Sequence, residues 1–272
     1  MSAAAASGGA SSDLDFLLAV AKAAAVKAGE VIMGVYAGDF DSRHKLDASP
    51  VTIADELAET LILDSLAAQA PDIPAISEEA AEANGLPSVV PERYWLVDPL
   101  DGTKEFIKRN GEFTVNIGLI ERGRPILGVI AVPALGQLYA AAGPGTAHEQ
   151  LPDGTRRPLA VRSYPTDGII VAHSRSHQTD ARLDTFLGDR PVAGRLMAGS
   201  ALKFCRVAEG AADLYPRFSP TMEWDTAAGQ AILEAAGGSL TMLDGAPFRY
   251  GKPGFLNPGF VAMGGRPSVP YL

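Results

Sequence analysis

The sequence has little cysteine and histidine: Cys205 is its only cysteine, and four histidines occur among 272 residues. A single cysteine cannot form an internal disulfide, which fits a reducing compartment such as the cytoplasm, and a buried structural thiol is the favoured interpretation of Cys205. No run of eighteen apolar residues occurs, and the Ala/Ser/Gly-rich start has no basic segment before an apolar core. These absences predict neither a membrane span nor a secretion signal.

Basic residues are also in the minority, because 23 Lys and Arg stand against 32 Asp and Glu, for a net charge of −9. Broad binding to nucleic acid needs a basic surface, so this balance argues against it. A phosphate-bearing small molecule would need bound divalent cations to invert the local field, and an acidic site recruits such cations. The charge therefore favours a metal-dependent function, and the 47% apolar content is ample for one large domain or two fused halves.

The stretch around residues 94–103 is the most informative part of the chain. Residues 94–97 (Tyr-Trp-Leu-Val) predict a buried strand, which we expect to end at Asp98 and Pro99 because proline cannot extend a ladder. Asp101, Gly102 and Thr103 then predict a helix start. A strand end and a helix N-terminus would meet there.

Two carboxylates three residues apart make this meeting point a candidate cation site. Asp98, Asp101 and the Leu100 carbonyl offer the oxygen ligands that Mg²⁺ prefers, and Gly102 would let the backbone approach a phosphate. An isolated Asp-x-x-Asp is more often a polar turn in which the second acid caps a helix. The longer string Asp-Pro-x-Asp-Gly-Thr after a buried strand is far more restrictive.

This string closely resembles the metal-binding signature of the inositol monophosphatase-like, lithium-sensitive phosphatases. Its continuation over residues 104–116 is similar to one branch, the bacterial 3′(2′),5′-bisphosphate nucleotidases of the CysQ type. The resemblance runs from about the first helix to the C-terminus. It implies an α+β/α/β fold, a layered αβαβα sandwich of the inositol monophosphatase and fructose-1,6-bisphosphatase type.

The pattern along the chain predicts three parts. Residues 1–12 are small and polar and are expected to be disordered. Residues 13–165 should form an α+β half with two helices, a large antiparallel sheet that ends in a strand near residues 159–162, and the metal site. Residues 166–272 alternate short apolar runs with helical patterns, which predicts an α/β half that carries substrate-binding elements.

Asp55 and Thr103 form a candidate catalytic pair. On its own, Asp55 three residues after Thr52 is nearly a capping box, so a first-turn acid that favours the helix dipole would explain it. The resemblance implies more: this acid and the threonine of the Asp-Gly-Thr motif orient and deprotonate the attacking water.

The remaining metal ligands come from two further acidic positions. Glu78 and Glu79 alone would be interpreted as a solvated loop, and Asp225 as a helix N-cap. The resemblance implies that Glu78 is a metal ligand that also faces the substrate and acts in catalysis, with Glu79 supporting it. The Trp-Asp-Thr-Ala-Ala-Gly string matches the superfamily's second signature, whose aspartate, Asp225, would complete a ligand set with Asp98, the Leu100 carbonyl and Asp101.

Substrate recognition is predicted for a second group of residues. Ser200 and Lys203 would otherwise be a helix cap and a solvated lysine, but the resemblance implies contacts with the nucleotide and its unhydrolysed phosphate. His177 and Arg217 are added as contributors, although a histidine in a polar loop more often contacts only water. The full predicted substrate-contacting set is Glu78, Asp101, Gly102, Thr103, Lys104, His177, Ser200, Lys203, Arg217 and Asp225.

The resemblance implies a phosphatase with two or three Mg²⁺ per site, with Mn²⁺ as an alternative and Li⁺ as an inhibitor. Water would attack phosphorus directly, consistent with the lack of a cysteine or histidine dyad suited to be a nucleophile. Inositol phosphatases usually carry a smaller neutral residue in place of Lys104. We therefore expect hydrolysis of adenosine 3′,5′-bisphosphate to AMP, with its sulfated form as a second substrate, in sulfate assimilation.

Two alternative functions stay open. A superfamily phosphatase for inositol monophosphate or fructose 1,6-bisphosphate is the nearest, and a non-catalytic regulatory protein that keeps the fold is a rival of another class. The sequence does not separate a monomer from a homodimer. It predicts a cytoplasmic protein and leaves open a weak peripheral attachment to the inner face of the cell membrane, for which no amphipathic basic segment argues.

Overall fold

The computed structural model describes residues 6–39, 42–44, 50–174 and 181–265. Its helices are α1 (Ala6–Tyr36), α2 (Ile53–Gln69), α3 (Glu78–Asn84), α4 (Thr103–Ile107), α5 (Ala181–Leu187), α6 (Leu202–Ala208) and α7 (Ala227–Ala235). Its strands are β1 (Ser42–His44), β2 (Pro50–Thr52), β3 (Ala75–Ser77), β4 (Arg93–Asp101), β5 (Thr114–Glu121), β6 (Arg124–Val132), β7 (Gln137–Ala142), β8 (His148–Gln150), β9 (Arg156–Pro158), β10 (Ile169–His173), β11 (Val192–Met197), β12 (Leu214–Arg217), β13 (Thr221–Met222), β14 (Ser239–Met242), β15 (Leu256–Asn257) and β16 (Phe260–Met263).

A seven-stranded sheet in the order β3-β4-β5-β6-β7-β8-β9 carries the site. It is antiparallel except for the β3–β4 pair, which is parallel. Both faces of the central strands are buried, because Trp95 and Val97 contribute to one core cluster and Tyr94 and Leu96 to another. A strand covered on both faces has a continuous apolar run, which explains the sequence of β4.

Helices and a second sheet complete five layers. Helices α1 and α2 pack on one face of the large sheet, and α6 and α7 lie between its other face and a five-stranded sheet in the order β11-β10-β12-β16-β14. Helix α5 covers the outside of the second sheet through Leu183 and Leu187, which pack on Ile169 and Val171. The predicted αβαβα sandwich is therefore confirmed. No helix within the described ranges is long and apolar enough to cross a membrane.

The predicted boundary near residue 165 falls between β9 and β10. The core between the two sheets draws residues from both sides of it, with Tyr94 and Ile130 packed into one cluster with Phe204 and Phe260. The second half is mixed rather than purely parallel, since β10 pairs in parallel with β11 and β12, whereas β16 pairs antiparallel with β12 and β14.

Three local expectations differ from the structure. Residues 6–12 belong to α1 instead of a disordered tail, although two of them are glycines and their intrinsic helix propensity is low, whereas residues 1–5 lie outside the described part of the chain. Strand β4 continues through Pro99 to Asp101, because the register against β5 shifts there and the proline needs no ladder hydrogen bond at a bulge. The strand predicted near residues 159–162 is absent among the described residues, and the sheet ends instead with β8 and β9.

Two glycines let α7 lie directly on the large sheet. A Cβ added at Gly118 would come 2.7 Å from the Ala227 Cβ, and one added at Gly128 would overlap the Ala228 carbonyl oxygen. Both contacts are closer than packed atoms can accommodate, so α7 can lie this close to the sheet only because these two positions have no side chain.

We expect Gly128→Ala to lower the free energy of unfolding by about 1–3 kcal/mol, because the sheet and α7 would have to separate. Gly34→Ala is the matched control, since Gly34 is helical and an added Cβ there would have nothing within 4 Å. Alanine at that position should stabilise the protein by about 0.5–1 kcal/mol. Urea unfolding followed by circular dichroism measures both; equal stabilities for the two variants would contradict this account.

Candidate active site

The bulge in β4 places two acids at one cavity. In a regular strand, residues three apart point to opposite faces, but the register shifts between Asp98 and Asp101, and both line the same cavity. The Asp98 Oδ1 accepts a hydrogen bond from the Leu100 amide at 3.0 Å. The bulge that sequence reasoning missed is thus what brings the motif's two carboxylates together.

Glu78 is the first residue of α3, directly after β3, a neighbour of β4. The Oε1 of Glu59, on α2, accepts hydrogen bonds from the amides of Glu79 at 3.0 Å and Ala80 at 3.1 Å. These bonds occupy two of the free amides at the helix start and fix its position. Glu78 and Glu79 therefore begin a helix, instead of lying in the solvated loop that the pair alone indicated.

Asp225 lies in a 3₁₀ turn formed by residues 223–225, just before α7. Its Oδ2 accepts a hydrogen bond from the Met222 amide at 2.8 Å. The N-cap of α7 is Thr226, so Asp225 does not cap that helix. The simpler interpretation of Asp225 is wrong, and its carboxylate is left facing the cavity.

Three acids from separate parts of the chain converge. Glu78, Asp98 and Asp225 each offer a carboxylate oxygen, and these oxygens all lie within 4.8 Å of one another. They line a cavity of about 540 Å³ together with Leu100, Asp101, Gly102, Thr103 and Lys104. The Asp101 carboxylate is outside this group of three and accepts a hydrogen bond from the Asn116 Nδ2 at 3.4 Å, but it lines the same cavity.

Burial and mutual repulsion make this cluster electrostatically unfavourable by itself. Burial, followed by the charges of Glu78, Asp101, Asp225 and Asp55, raises the pKa of Asp98 well above its usual range. Burial and the charges of Asp101 and Glu78 raise the pKa of Asp225, and burial raises the pKa of Asp101 to about 6 even though the Lys203 charge lowers it. Gathered oxygen ligands with uncompensated negative charge fit a hard divalent cation.

Asp55 and Thr103 meet at the edge of the cluster. The Asp55 Oδ2 accepts hydrogen bonds from the Thr52 amide at 2.8 Å and the Thr52 hydroxyl at 2.7 Å, so the capping box is real. The Thr103 hydroxyl lies 3.2 Å from the Asp55 Oδ1 and 3.4 Å from the Leu100 carbonyl oxygen. Asp55 thus caps α2 with one oxygen and contacts Thr103 with the other.

A second cavity of about 240 Å³ adjoins the first and shares Asp101, Gly102, Lys104, Arg217 and Asp225 with it. Three cationic side chains line it: Lys104, Lys203 and Arg217. The predicted substrate-contacting residues therefore lie together, except that His177 is outside the described residues.

Ser200 and Lys203 differ from their simpler interpretations. Ser200 does not cap α6, whose N-cap is Ala201; it has a φ of 49°, and its hydroxyl lies 2.8 Å from the Asp101 carbonyl oxygen and 2.9 Å from that of Glu112. Lys203 is 3% exposed instead of solvated, and its Nζ donates to the Ser200 carbonyl at 2.7 Å. Burial lowers the pKa of Lys203 to about 8, against the opposing effect of the Asp101 charge.

Gly102 is required where these parts meet. Its φ of 91° is in the left-handed region, and an added Cβ would overlap the Ser200 hydroxyl. The end of β4, the start of α4 and the Ser200 turn therefore touch without an intervening side chain.

The family model for the inositol monophosphatase family matches residues 13–263, which is most of the chain. The chain belongs to this family. The 3′(2′),5′-bisphosphate nucleotidase CysQ of Shigella flexneri is 49% identical over 236 residues, covering 86% of this chain and 94% of the relative. The protein of that name in Escherichia coli strain K12 is 48% identical with the same coverage.

Solved structures agree with this assignment. CysQ from Bacteroides thetaiotaomicron, described as a bacterial member of the inositol monophosphatase family, has a TM-score of 0.76 and 40% identity, covering 92% of this chain and 97% of that one. An inositol monophosphatase from Anabaena has a TM-score of 0.72 and 28% identity, covering 93% of this chain and 92% of that one. The predicted family resemblance is confirmed.

Sequence reasoning missed two supporting residues. Glu59 holds the start of α3, and its signal was available: it follows Asp55 by four residues on α2, which places both on one helix face. Glu112 accepts a hydrogen bond from the Gly199 amide at 2.9 Å and thereby fixes the Ser200 turn. No local pattern indicates this contact, because it joins residues 87 positions apart.

Replacing one buried carboxylate should stabilise the metal-free protein. In EDTA at pH 8, we expect Asp98→Asn to raise the unfolding temperature by a few degrees, because the neutral amide removes repulsion and can keep the Leu100 contact. The pKa is raised in the fold, so ionisation costs stability above the pKa of a free carboxyl, and the gain should vanish as pH falls towards about 4.

The same variant should lose the added stability that Mg²⁺ gives the parent protein. Asp64→Asn, at an exposed position on α2, is the control and should change neither result. Differential scanning calorimetry with EDTA and with Mg²⁺ measures both effects. A variant no more stable than the parent in EDTA, or still stabilised by Mg²⁺, would contradict this electrostatic account.

Proposed function

We propose that this protein is a Mg²⁺-dependent 3′(2′),5′-bisphosphate nucleotidase that hydrolyses adenosine 3′,5′-bisphosphate to AMP and phosphate. The convergence of Glu78, Asp98 and Asp225 on one cavity is the observation that carries the proposal. Family membership and similarity to proteins named 3′(2′),5′-bisphosphate nucleotidase support the reaction. The sulfated form of the same nucleotide is a second proposed substrate, and clearance of a by-product of sulfate assimilation is the proposed role.

Glu78, Asp98, Asp101, Asp225 and the Leu100 carbonyl would hold the cations. Two or three divalent ions bound there would neutralise phosphate oxygens and lower the pKa of water. The carboxylates come from three separate segments, so their geometry depends on the fold instead of on the motif alone. We also propose Mn²⁺ as a substitute and Li⁺ as an inhibitor.

Thr103 and Asp55 are proposed to handle the proton of the attacking water. The Thr103 hydroxyl can donate to the Asp55 Oδ1, which leaves its oxygen lone pairs free to orient a water and accept its proton. The other Asp55 oxygen is held by Thr52, so the carboxylate cannot rotate away. Among the described residues, no cysteine or histidine lines this cavity, and the attack is assigned to water directly.

The second cavity is proposed to select a substrate with another anionic group. Lys104, Lys203 and Arg217 surround it, and the Arg217 Nε is buried without a hydrogen-bond partner among the described residues. An inositol monophosphate has only the phosphate that is removed, so it would leave these cations without a partner. The nucleotide's remaining phosphate would pair with them. A monomer or homodimer in the cytoplasm fits this proposal equally well.

A substrate panel tests the activity. Phosphate release with Mg²⁺ should give a kcat/KM at least about tenfold higher for adenosine 3′,5′-bisphosphate than for inositol 1-phosphate or fructose 1,6-bisphosphate. Omission of Mg²⁺ should abolish turnover. A higher kcat/KM for inositol 1-phosphate would contradict the proposed substrate. No turnover of any compound would favour a non-catalytic protein that keeps the fold.

Lys104 offers a matched pair of variants for the same panel. Lys104→Met should raise KM for the bisphosphate more than for 3′-AMP, which lacks the second phosphate. Lys108→Met removes an exposed lysine of the C-cap of the same helix and should leave both values unchanged. Equal effects of Lys104→Met on the two nucleotides would show that Lys104 does not recognise the second phosphate.

We expect Thr103→Val to lower kcat by about 10²–10⁴-fold with little change in KM, because valine keeps the shape but cannot orient or relay a proton. Thr103→Ser keeps the hydroxyl and should retain most of the activity. Steady-state kinetics at saturating Mg²⁺ measure both variants. Equal kcat values for the valine and serine variants would remove Thr103 from the proton path.

A further inference from the structure

The turn that carries Asp225 is held by a buried acid two residues earlier. Glu223 is 0% exposed, and within the described ranges the hydrogen-bond and ion-pair partners of its carboxylate come from one later loop. Its carboxylate accepts hydrogen bonds from the Gly251 amide at 2.8 Å and the Lys252 amide at 2.9 Å, and the Lys252 Nζ lies 2.6 Å from its Oε1. One loop thus supplies two amides and a full positive charge to one carboxylate.

Asn257 holds the other end of the same turn. It is 0% exposed, and its Nδ2 lies 2.6 Å from the Met222 carbonyl oxygen, 3.1 Å from the Thr221 hydroxyl and 3.0 Å from the Thr226 hydroxyl. A carbonyl oxygen can only accept, so the amide nitrogen must face it. Strands β13 and β15 pair through Thr221 and Met222 at the same place.

These contacts act on Asp225 through Met222. The Asp225 Oδ2 accepts from the Met222 amide, while the Met222 carbonyl accepts from Asn257. Glu223, the residue after Met222, ties the turn to the loop of Gly251 and Lys252. The position of the Asp225 carboxylate is therefore set by Gly251, Lys252 and Asn257, which lie about 30 positions further along the chain. None of these three residues lines the proposed metal cavity.

Packing alone does not explain a charged pair here. Burying an ion pair is costly, and apolar residues of similar volume would usually be as stable or more so. The pair instead fixes an orientation, because two backbone amides and the Lys252 ammonium group hold the Glu223 carboxylate in one position.

We propose that Glu223, Lys252 and Asn257 form a brace that positions Asp225 for cation binding. The proposal rests on the proposed metal centre and adds residues to it that touch neither cation nor substrate. They are positioning residues: their loss should weaken cation affinity while leaving the rate at saturating cation nearly intact. Loss of partners that orient a metal ligand commonly weakens metal affinity by about 10–100-fold.

The test is a titration of the full chain with Mn²⁺ alone, read by electron paramagnetic resonance of free Mn²⁺. We expect Lys252→Met and Asn257→Leu each to raise the Mn²⁺ Kd by at least about tenfold. Lys252→Arg keeps the charge and should stay within about threefold of the parent, below the range seen for lost orienting partners. Lys27→Met removes an exposed lysine of α1 and should leave the Kd unchanged.

Circular dichroism in EDTA establishes that each variant is folded, and kcat at saturating Mn²⁺ separates positioning from general damage. The brace is supported when Kd rises and kcat stays within about twofold, far less than the roughly 10²–10⁴-fold loss expected when a general acid or base is removed. An unchanged Kd in any folded variant that lacks the Lys252 charge or the Asn257 amide overturns it, as does a fall in kcat with no change in Kd. If Lys252→Met does not fold, Asn257→Leu and Lys252→Gln decide the matter.

The Mn²⁺ titration itself needs no substrate, so the Kd values do not depend on which compound is hydrolysed. A weakened Kd in a protein that fails to hydrolyse adenosine 3′,5′-bisphosphate would leave the brace in place and remove only the proposed substrate. A parent protein that binds no Mn²⁺ would overturn the metal centre and the brace together.

Discussion

Repulsion among buried carboxylates is the constraint around which the rest of this molecule is arranged. Glu78, Asp98 and Asp225 bring oxygens within 4.8 Å of one another in a place where burial already raises the pKa of two of them. Such a cluster persists only if the surrounding fold holds it, and each acid here has its own support: Glu59 beneath α3, the β4 bulge at Asp98, and a turn fixed on both sides for Asp225. Stability is given up locally and recovered in the layered core.

The core makes this arrangement rigid. Five layers leave the strand that carries the motif covered on both faces, and glycines at positions 118 and 128 let α7 rest on the sheet with no gap. Asp98 therefore lies in a strand that is covered on both faces, and Asp225 lies in the turn that leads into a helix seated directly on the sheet. Acids mounted on flexible loops would relax apart under their own charge, whereas these cannot.

Much of this was predictable from the sequence, for identifiable reasons. The apolar run at residues 94–97 and the Asp-Pro-x-Asp-Gly-Thr string give a buried strand with ligands at its end, and the signature around Asp225 places the second part of the site. The bulge was not predictable, since whether proline ends a strand or occupies a bulge depends on the partner strand. The environment of Ser200 was misjudged because its hydroxyl contacts the backbone carbonyls of Asp101 and Glu112, which are 99 and 88 positions away. That of Lys203 was misjudged because its burial depends on how the rest of the chain packs around it. Local sequence patterns therefore predict which residues belong to the site, but they do not predict hydrogen bonds between residues that are distant in the chain.

Asp101 stands in the wall between the two cavities, and its carboxylate and the Lys203 ammonium each alter the other's pKa. A cation that neutralised the Asp101 carboxylate from the first cavity would leave the Lys203 charge uncompensated, and that charge would then attract an anion into the second cavity. Binding free energies are reciprocal, so a cation that binds in the first cavity and an anion that binds in the second would each raise the affinity for the other through Asp101 and Lys203.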